Sequence, residues 1–229
     1  MIRLYDLVGA EDRRFSPNCW RTRLALAHKG LAVEAKATRF TEIASVCGGR
    51  FKTVPIIEDG AEALCDSWAI ACYLEDRYPQ APSLFGGAAG RAMSLFFHHW
   101  VSTAVHMGIA RMVILDICRQ LVPEDRDYFR TSREQRFGAT LETVVADREE
   151  RLPAFRQLLE PARATLTAQP FLGGEGPLYP DYLLFGALQW ARVVSPFQIL
   201  AKDDPVYAWF GRVADLHGGL GRSMKGYWD

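Results

Sequence analysis

The chain has 229 residues, of which 49% are apolar and 24% charged, a composition that supplies a packed core and argues against a disordered chain. Its 27 basic and 27 acidic residues cancel. The surplus of Lys and Arg that grips a phosphate backbone is missing, so nucleic acid is not an expected partner. The cysteines, Cys19, Cys47, Cys65, Cys72 and Cys118, are odd in number and form no C-x-x-C pair or zinc spacing, which points to a reducing compartment rather than a disulfide scaffold.

The opening MIRLYDLVGAEDRRF lacks the uninterrupted apolar core of a signal peptide. No stretch is expected to reach the length of a membrane span without charges. A cytoplasmic protein with no membrane partner is therefore expected. Ile2 to Val8 is a short β-type run. Ser16-Pro17 then opens a helix, with Ser at the N-cap and Pro at the first helical position, that runs to His28-Lys29-Gly30. A second extended run starts near Leu31. Val54-Pro55-Ile56-Ile57-Glu58-Asp59-Gly60 reads as a strand entered through proline and left by an Asp-Gly turn, with Ala61 to Leu64 as its hairpin partner. Asp66-Ser67 caps a further helix that ends at Tyr78-Pro79. The order β-α-β, then β-β-α, predicts a mixed sheet carrying helices, with a right-handed first crossover.

Pro79, Pro82 and Gly86-Gly87 mark a linker. After Ala89 the strand signals stop. Arg91 to Leu121 is a long helical pattern, apolar nearly all round, which predicts a helix buried in the middle of a bundle. Asp125 to Gln169 carries mixed charges at helical spacing, with Pro153 and Pro161 expected to kink or break it. Asp181 to Val194 is a very apolar helix, and Pro205 to Leu216 is an amphipathic one followed by a Gly-rich tail.

This layout resembles the glutathione transferase superfamily. Three local signatures carry the match: Ser16-Pro17-Asn18-Cys19 at the first strand-to-helix turn, Thr53-Val54-Pro55 before the third strand, and Asp66-Ser67 at the third helical cap. Within the superfamily the likeness is to bacterial β-aryl etherases and related fungal serine-type transferases. It rests on Asp127-Tyr128, Ser132-Arg133-Glu134-Gln135, Arg148-Glu149-Glu150-Arg151-Leu152-Pro153, Leu172-Gly173-Gly174 and Gly219-Leu220-Gly221-Arg222. The resemblance implies an α/β plus all-α fold. Residues 1–79 would form a thioredoxin-like glutathione-binding domain, 80–90 a linker, and 91–229 an all-helical domain for the co-substrate. It also implies a homodimer and a role in detoxification. The expected partners are glutathione as co-substrate and a small hydrophobic aromatic electrophile, possible targets including a β-aryl ether.

The chemistry needs a thiolate near neutral pH, although a free thiol titrates at roughly 8.5. A hydroxyl donor at a positive helix N-terminus stabilises the anion. Ser16 stands where such a donor is needed, though it also reads as an ordinary N-cap, and a hydroxyl turned to a ligand would be lost to its cap. The Asn18 amide is the alternative donor. A Cys-Pro-x-Cys redox turn has Ser16 at its nucleophilic position here, so Cys19 is expected to be a packed residue rather than a redox nucleophile. The resemblance implies that Val54 and Pro55, at the family's cis-proline, present backbone to the cysteinyl part of glutathione. Thr53 belongs to the same segment, Lys52 would meet the glycyl carboxylate, and Asp66 and Ser67 would bind the γ-glutamyl end.

Trp100, Ala104, Met107 and Arg111 fall on one helical stripe, and Trp100, Met107 and Arg111 are the candidate co-substrate residues. His98, His99 and His106 lack metal-ligand spacing, so no metal is expected. One departure is notable. The family usually has a Ser or Thr capping the sixth helix, three residues before an Asp; here that Asp is Asp181 but the capping position is Leu178, which leaves Tyr179-Pro180 to set the turn. The alternative to an enzyme is a carrier that binds glutathione or apolar ligands without turnover.

Overall fold

The computed structural model describes residues 1–228; Asp229, the last residue of the expected helical domain, lies outside the described residues. The first strand, β1 (Ile2–Leu7), leads into α1 (Pro17–His28) and then β2 (Val33–Thr38). β1 and β2 pair in parallel with Ile2 opposite Val33. A 3-10 segment, Phe40–Gly49, connects to β3 (Ile56–Asp59), which turns into β4 (Glu62–Cys65) and then α2 (Ser67–Arg77). β3 runs antiparallel to β1 and β4 antiparallel to β3, giving the strand order β2-β1-β3-β4. This is the thioredoxin-like domain. Ile2, Leu4, Ile56 and Ile57 are buried from the strands and Trp20, Leu24 and Ile70 from the helices.

The linker is fastened on both sides. Lys29, almost fully buried, forms an ion pair of 2.6 Å with Glu75. Glu75 also accepts from the Ser83 hydroxyl and, at 2.9 Å, from the Leu84 N–H. The Leu84 carbonyl in turn accepts from the Tyr179 N–H at 2.7 Å.

The rest is helical. A 32-residue helix spans Ala88–Arg119, built from α3 (Ala88–Trp100), a π-turn over Val101–Val105 and α4 (His106–Arg119). Contrary to the sequence expectation, residues 92–110 contain no Asp, Glu, Lys or Arg. The helix is long and apolar enough to cross a membrane by length and composition. Its burial is also uneven. Ile109, Met112, Val113 and Ile117 of α4 are in the core, but Met93 and Phe96 of α3 are 62% and 66% exposed. α3 packs on one side against α9, whereas α4 is enclosed by α5, α6, α7 and α9.

The charged region that follows divides into α5 (Pro123–Phe137), α6 (Leu141–Val145), α7 (Arg148–Leu158) and α8 (Glu160–Ala168). Pro161 lies in the first turn of α8, where its missing N–H costs nothing, whereas Pro153 sits inside an unbroken α7. Two more helices, α9 (Tyr179–Val194) and α10 (Pro205–Gly219), complete the bundle. The tail folds back: the Trp228 indole donates to the Ser195 carbonyl at 3.1 Å.

Leu178 cannot cap α9, and the helix start is held differently. The carboxylate of Asp181, fully buried, accepts from the N–H groups of Leu172 (2.8 Å), Gly173 (2.9 Å) and Leu178 (3.0 Å). It also accepts from the Trp209 indole at 2.8 Å. One carboxylate thus satisfies the helix start, the preceding loop and α10, so the missing hydroxyl is not required.

The two domains meet where α1 lies against α9. At Gly186 the helices are so close that a Cβ would stand 2.5 Å from the Pro17 carbonyl oxygen and 3.1 Å from Arg21 Cγ. Replacing a helical glycine by alanine ordinarily stabilises by up to about 1 kcal/mol. Here Gly186→Ala is expected to destabilise by about 1–3 kcal/mol, because backbone must move aside. A lowered urea midpoint checks this, and an unchanged or raised one would show that the seam can widen freely.

Candidate functional site

A cavity of about 420 Å³ opens between the domains, with Leu7, Phe15, Ser16, Pro17 and Asn18 from the β1–α1 turn on one side. Lys52, Thr53 and Val54 form its next wall. The Val54–Pro55 peptide is cis, and Val54 makes no backbone hydrogen bond among the described residues. Thr53 is tethered from below, where the Cys65 thiol donates to its carbonyl at 3.1 Å.

Ser16 is 5% exposed and stands at the N-cap of α1. Its Oγ accepts from the Cys19 N–H at 3.3 Å. A hydroxyl has one proton and two lone pairs, so capping consumes a lone pair and leaves the O–H able to donate into the cavity. Capping therefore does not by itself consume the donor. Cys19 is wholly buried. Burial first, and the nearby Asp6 carboxylate second, push its thiol well up, which keeps it protonated and unsuited to nucleophilic attack.

Asp66 and Ser67 lie outside the cavity wall, at the start of α2. Asp66 has φ +82°, a backbone region that favours glycine. Its Oδ1 accepts from the N–H groups of Trp68 (2.9 Å) and Ala69 (3.0 Å). Residues held in such conformations persist only where surroundings over-determine them, and they cluster at ligand sites. The Ser67 hydroxyl is buried with no partner among the described residues, and its carbonyl accepts from the Tyr179 hydroxyl of α9 at 2.7 Å.

The helical side of the cavity departs from the expected stripe. Ser102, His106, Met107, Ala110, Ile114 and Ile117 line it; Trp100 and Arg111 do not, and Arg111 is exposed rather than buried. The π-turn shifts the phase between Trp100 and Met107. Counted at 100° per residue, the lining face of α4 then centres on the side of Met107 away from Arg111.

His106 was legible only as a histidine without metal spacing. In the structure its Nε2 lies 3.0 Å from Arg21 Nη2. Arginine can only donate, so Nε2 accepts and the ring proton sits on Nδ1. Arg21 is fully buried on α1, and burial lowers its pKa to about 10. The Trp190 ring, also in the cavity wall, meets His106 edge-on at 5.8 Å.

A further wall comes from α5, with Tyr128, Phe129, Arg133, Arg136 and Phe137. The buried Asp125 carboxylate fastens it to the first domain, accepting from Phe40 N–H (3.1 Å), Thr41 N–H (3.0 Å) and the Thr41 hydroxyl (2.9 Å). This brings the Phe40 ring to 5.6 Å from Phe129. No sequence signal at Asp125 pairs it with a loop some eighty residues earlier.

The comparisons with known proteins agree with this architecture. The family model described as "Glutathione S-transferase, N-terminal domain" matches residues 12–82, and that described as "Glutathione S-transferase, C-terminal domain" matches residues 92–215. The chain belongs to the glutathione S-transferase family. It is similar to the glutathione S-transferase-like protein ustS of Aspergillus flavus, at 26% identity over 82% of this chain and 78% of the relative. Among solved structures it resembles the glutathione transferase GSTFuA3 of Phanerochaete chrysosporium, with a TM-score of 0.76, 29% identity, and coverage of 97% of this chain and 93% of that one. It also resembles CsGST63524 of Ceriporiopsis subvermispora, solved in complex with glutathione, with a TM-score of 0.77, 26% identity, and coverage of 97% and 95%.

Burial first and the Arg21 charge second hold the His106 pKa well below the ordinary imidazole value. Burial likewise lowers His28, His98 and His217. The unfolded chain binds protons below about pH 6.5 that the folded chain refuses. Stability is therefore expected to be full above that pH and to fall below it, by up to about 1.4 kcal/mol per pH unit per imidazole. Urea unfolding from about pH 7.5 down to 5.5 should show a shallower loss in His106→Gln, which keeps an acceptor for Arg21. An identical slope would mean that His106 protonates in the folded protein.

Proposed function

We propose that the protein is a glutathione transferase whose cavity sets the glutathione thiolate against a hydrophobic aromatic electrophile. The observation that carries the reading is the Ser16 hydroxyl, which stands in the cavity wall and caps α1 through a lone pair, so that its O–H can still donate. That O–H would donate to sulfur, and the N-terminal end of α1 adds favourable potential for the anion. Asn18, in the same wall, is the second candidate donor. Val54, with its backbone unpaired, would bind the cysteinyl part of glutathione as an added strand. Lys52 would meet the glycyl carboxylate. Asp66 and Ser67 would take the γ-glutamyl end at the α2 N-terminus. Membership of the family, with a similar structure solved around glutathione, supports the same assignment.

In the reaction a C–S bond forms at the electrophilic carbon and the bond to its leaving group breaks. The electron pair departs with that group as chloride or aryloxide, and an aryloxide takes a proton from water. The protein supplies orientation and thiolate stabilisation. The sequence likeness to etherases extends the proposal to β-aryl ether ketones, in which the carbonyl activates the attacked carbon. Glutathione consumption with a β-aryl ether ketone and with a chloronitrobenzene tests this. Phenol release supports the etherase reading, and turnover of the chloroarene alone leaves the transferase without it. Tight glutathione binding with no turnover of either would favour a carrier. Ser16→Ala is expected to lower kcat by roughly 10²-fold with little change in glutathione affinity. An unchanged rate would transfer the role to Asn18.

The resemblance also implies a homodimer. The exposed Met93, Leu95 and Phe96 of α3 supply an apolar face suited to one. Sedimentation should then give a dimeric mass for the native protein and a monomeric one for Phe96→Glu. A native monomer would remove the homodimer from the reading.

A further inference from the structure

The cavity wall has a one-sided charge. Its ionised side chains are Lys52, Arg133 and Arg136, and no Asp or Glu lines it. Lys52 sits beside Thr53 and Val54, on the side proposed for glutathione. Arg133 and Arg136 come from the opposite domain, one turn apart on α5, where i and i+3 positions share a face.

These two arginines differ from Arg130 of the same helix. Arg130, on the same helix, is paired with Glu134 at 2.8 Å and Glu142 at 2.9 Å. Among the described residues neither Arg133 nor Arg136 has an ion-pair partner. Glu134 is committed to Arg130 and to the Leu141 N–H at 3.1 Å, and Asp125 to the Phe40–Thr41 loop. The Arg133 guanidinium is held in place without being neutralised. It lies 4.6 Å from the Phe129 ring centroid and 5.4 Å from that of Phe40, and its Nη1 donates to the Ser132 hydroxyl at 2.9 Å. Burial depresses its pKa, the Tyr128 hydroxyl works against that, and the neighbouring Arg136 charge adds to it. Two adjacent cations, Arg133 half-buried over aromatic rings and Arg136 exposed at the rim, with no carboxylate in the wall, form a site suited to an anion. Its surroundings are aromatic: Phe40, Tyr128 and Phe137 stand in the same wall.

We propose that the acceptor substrate is an aromatic electrophile bearing a carboxylate, with Arg133 and Arg136 binding that carboxylate while the ring lies among the α5 aromatics. The inference rests on the transferase reading and narrows it. The planar fork of Arg133 suits a carboxylate, and the stacked rings hold the fork in one orientation. Arg133 and Arg136 select the acceptor and orient it; the bond changes remain those at sulfur and the electrophilic carbon.

The test uses a matched pair, 4-chloro-3-nitrobenzoate and 4-chloro-3-nitrobenzamide, each rate divided by its uncatalysed rate with glutathione. The native protein is expected to favour the benzoate by about tenfold or more in kcat/KM, as one good charge-assisted contact allows. Arg133→Gln and Arg136→Gln should each bring the ratio towards one, and Arg133→Lys should keep part of the preference. Raised salt should shrink the ratio in the native protein, which needs no variant to fold. A ratio near one in the native protein overturns the inference even if both compounds are turned over. Calorimetric titration with unreactive 3-nitrobenzoate and 3-nitrobenzamide separates this from failure of the transferase reading. If neither chloroarene reacts but 3-nitrobenzoate still binds more tightly, and loses that advantage in Arg136→Gln, the anion site stands and the transferase reading falls. If Arg133→Gln weakens glutathione binding and leaves the acceptor ratio unchanged, the arginines serve a glutathione carboxylate, and the inference is overturned.

Discussion

The contact between α1 and α9 is the constraint on which the candidate site depends. α1 begins at Ser16 and carries the first wall of the cavity, and α9 is the most buried helix of the second domain, from Tyr179 to Val194. They approach so closely at Gly186 that the Pro17 carbonyl, one residue from Ser16, rests where a side chain would otherwise stand. The position of Ser16 relative to the helical domain is thereby set by backbone-to-backbone packing, which is stiffer than any contact between long side chains. Glycine is what α9 needs there, despite its poor helix propensity.

Along the same seam the protein accepts an electrostatic cost. Arg21 is fully buried, and its Nε and Nη1 have no partner among the described residues. The guanidinium keeps a hydrogen bond to His106, and that pairing decides the chemistry of the imidazole. A cation donating to Nε2 forbids a second proton on that atom, so His106 stays neutral and keeps a donor at Nδ1. Two polar residues on separate domains thus define one protonation state at the cavity wall.

Two carboxylates, Asp125 and Asp181, do for the loops what the helix seam does for the domains. Each is buried, and each gathers N–H groups from segments that have no regular pairing of their own. A carboxylate can accept several hydrogen bonds at once, and the charge strengthens each of them. Asp125 brings Phe40 to the α5 aromatics and so shapes that wall of the cavity. Asp181 holds the start of α9, and with it the Tyr179 hydroxyl that reaches the Ser67 carbonyl.

Much of this was legible in the sequence wherever the signal is local. Ser16-Pro17 marks the start of α1 because N-cap and first-turn preferences act within a few residues. Asp66-Ser67 marks α2 for the same reason, and the Val54 to Leu64 segment becomes a hairpin because its turn chemistry and strand residues agree. The order of strands and helices therefore followed from the chain itself, and so did the residues of the β1–α1 turn. What only the tertiary structure decided are the partnerships between distant segments. Arg111 looked like a cavity residue by its spacing from Met107, but the face of α4 that meets the cavity centres on the other side of Met107 and leaves Arg111 in solvent. His106 acquires its role only when α1 brings Arg21 to it, and Arg133 and Arg136 become an unpaired cationic site only once their own helix's Glu134 has turned to Arg130. Capping and turn preferences are written over a few neighbouring residues, whereas the phase, depth and charge of a cavity wall are set by which helix faces meet.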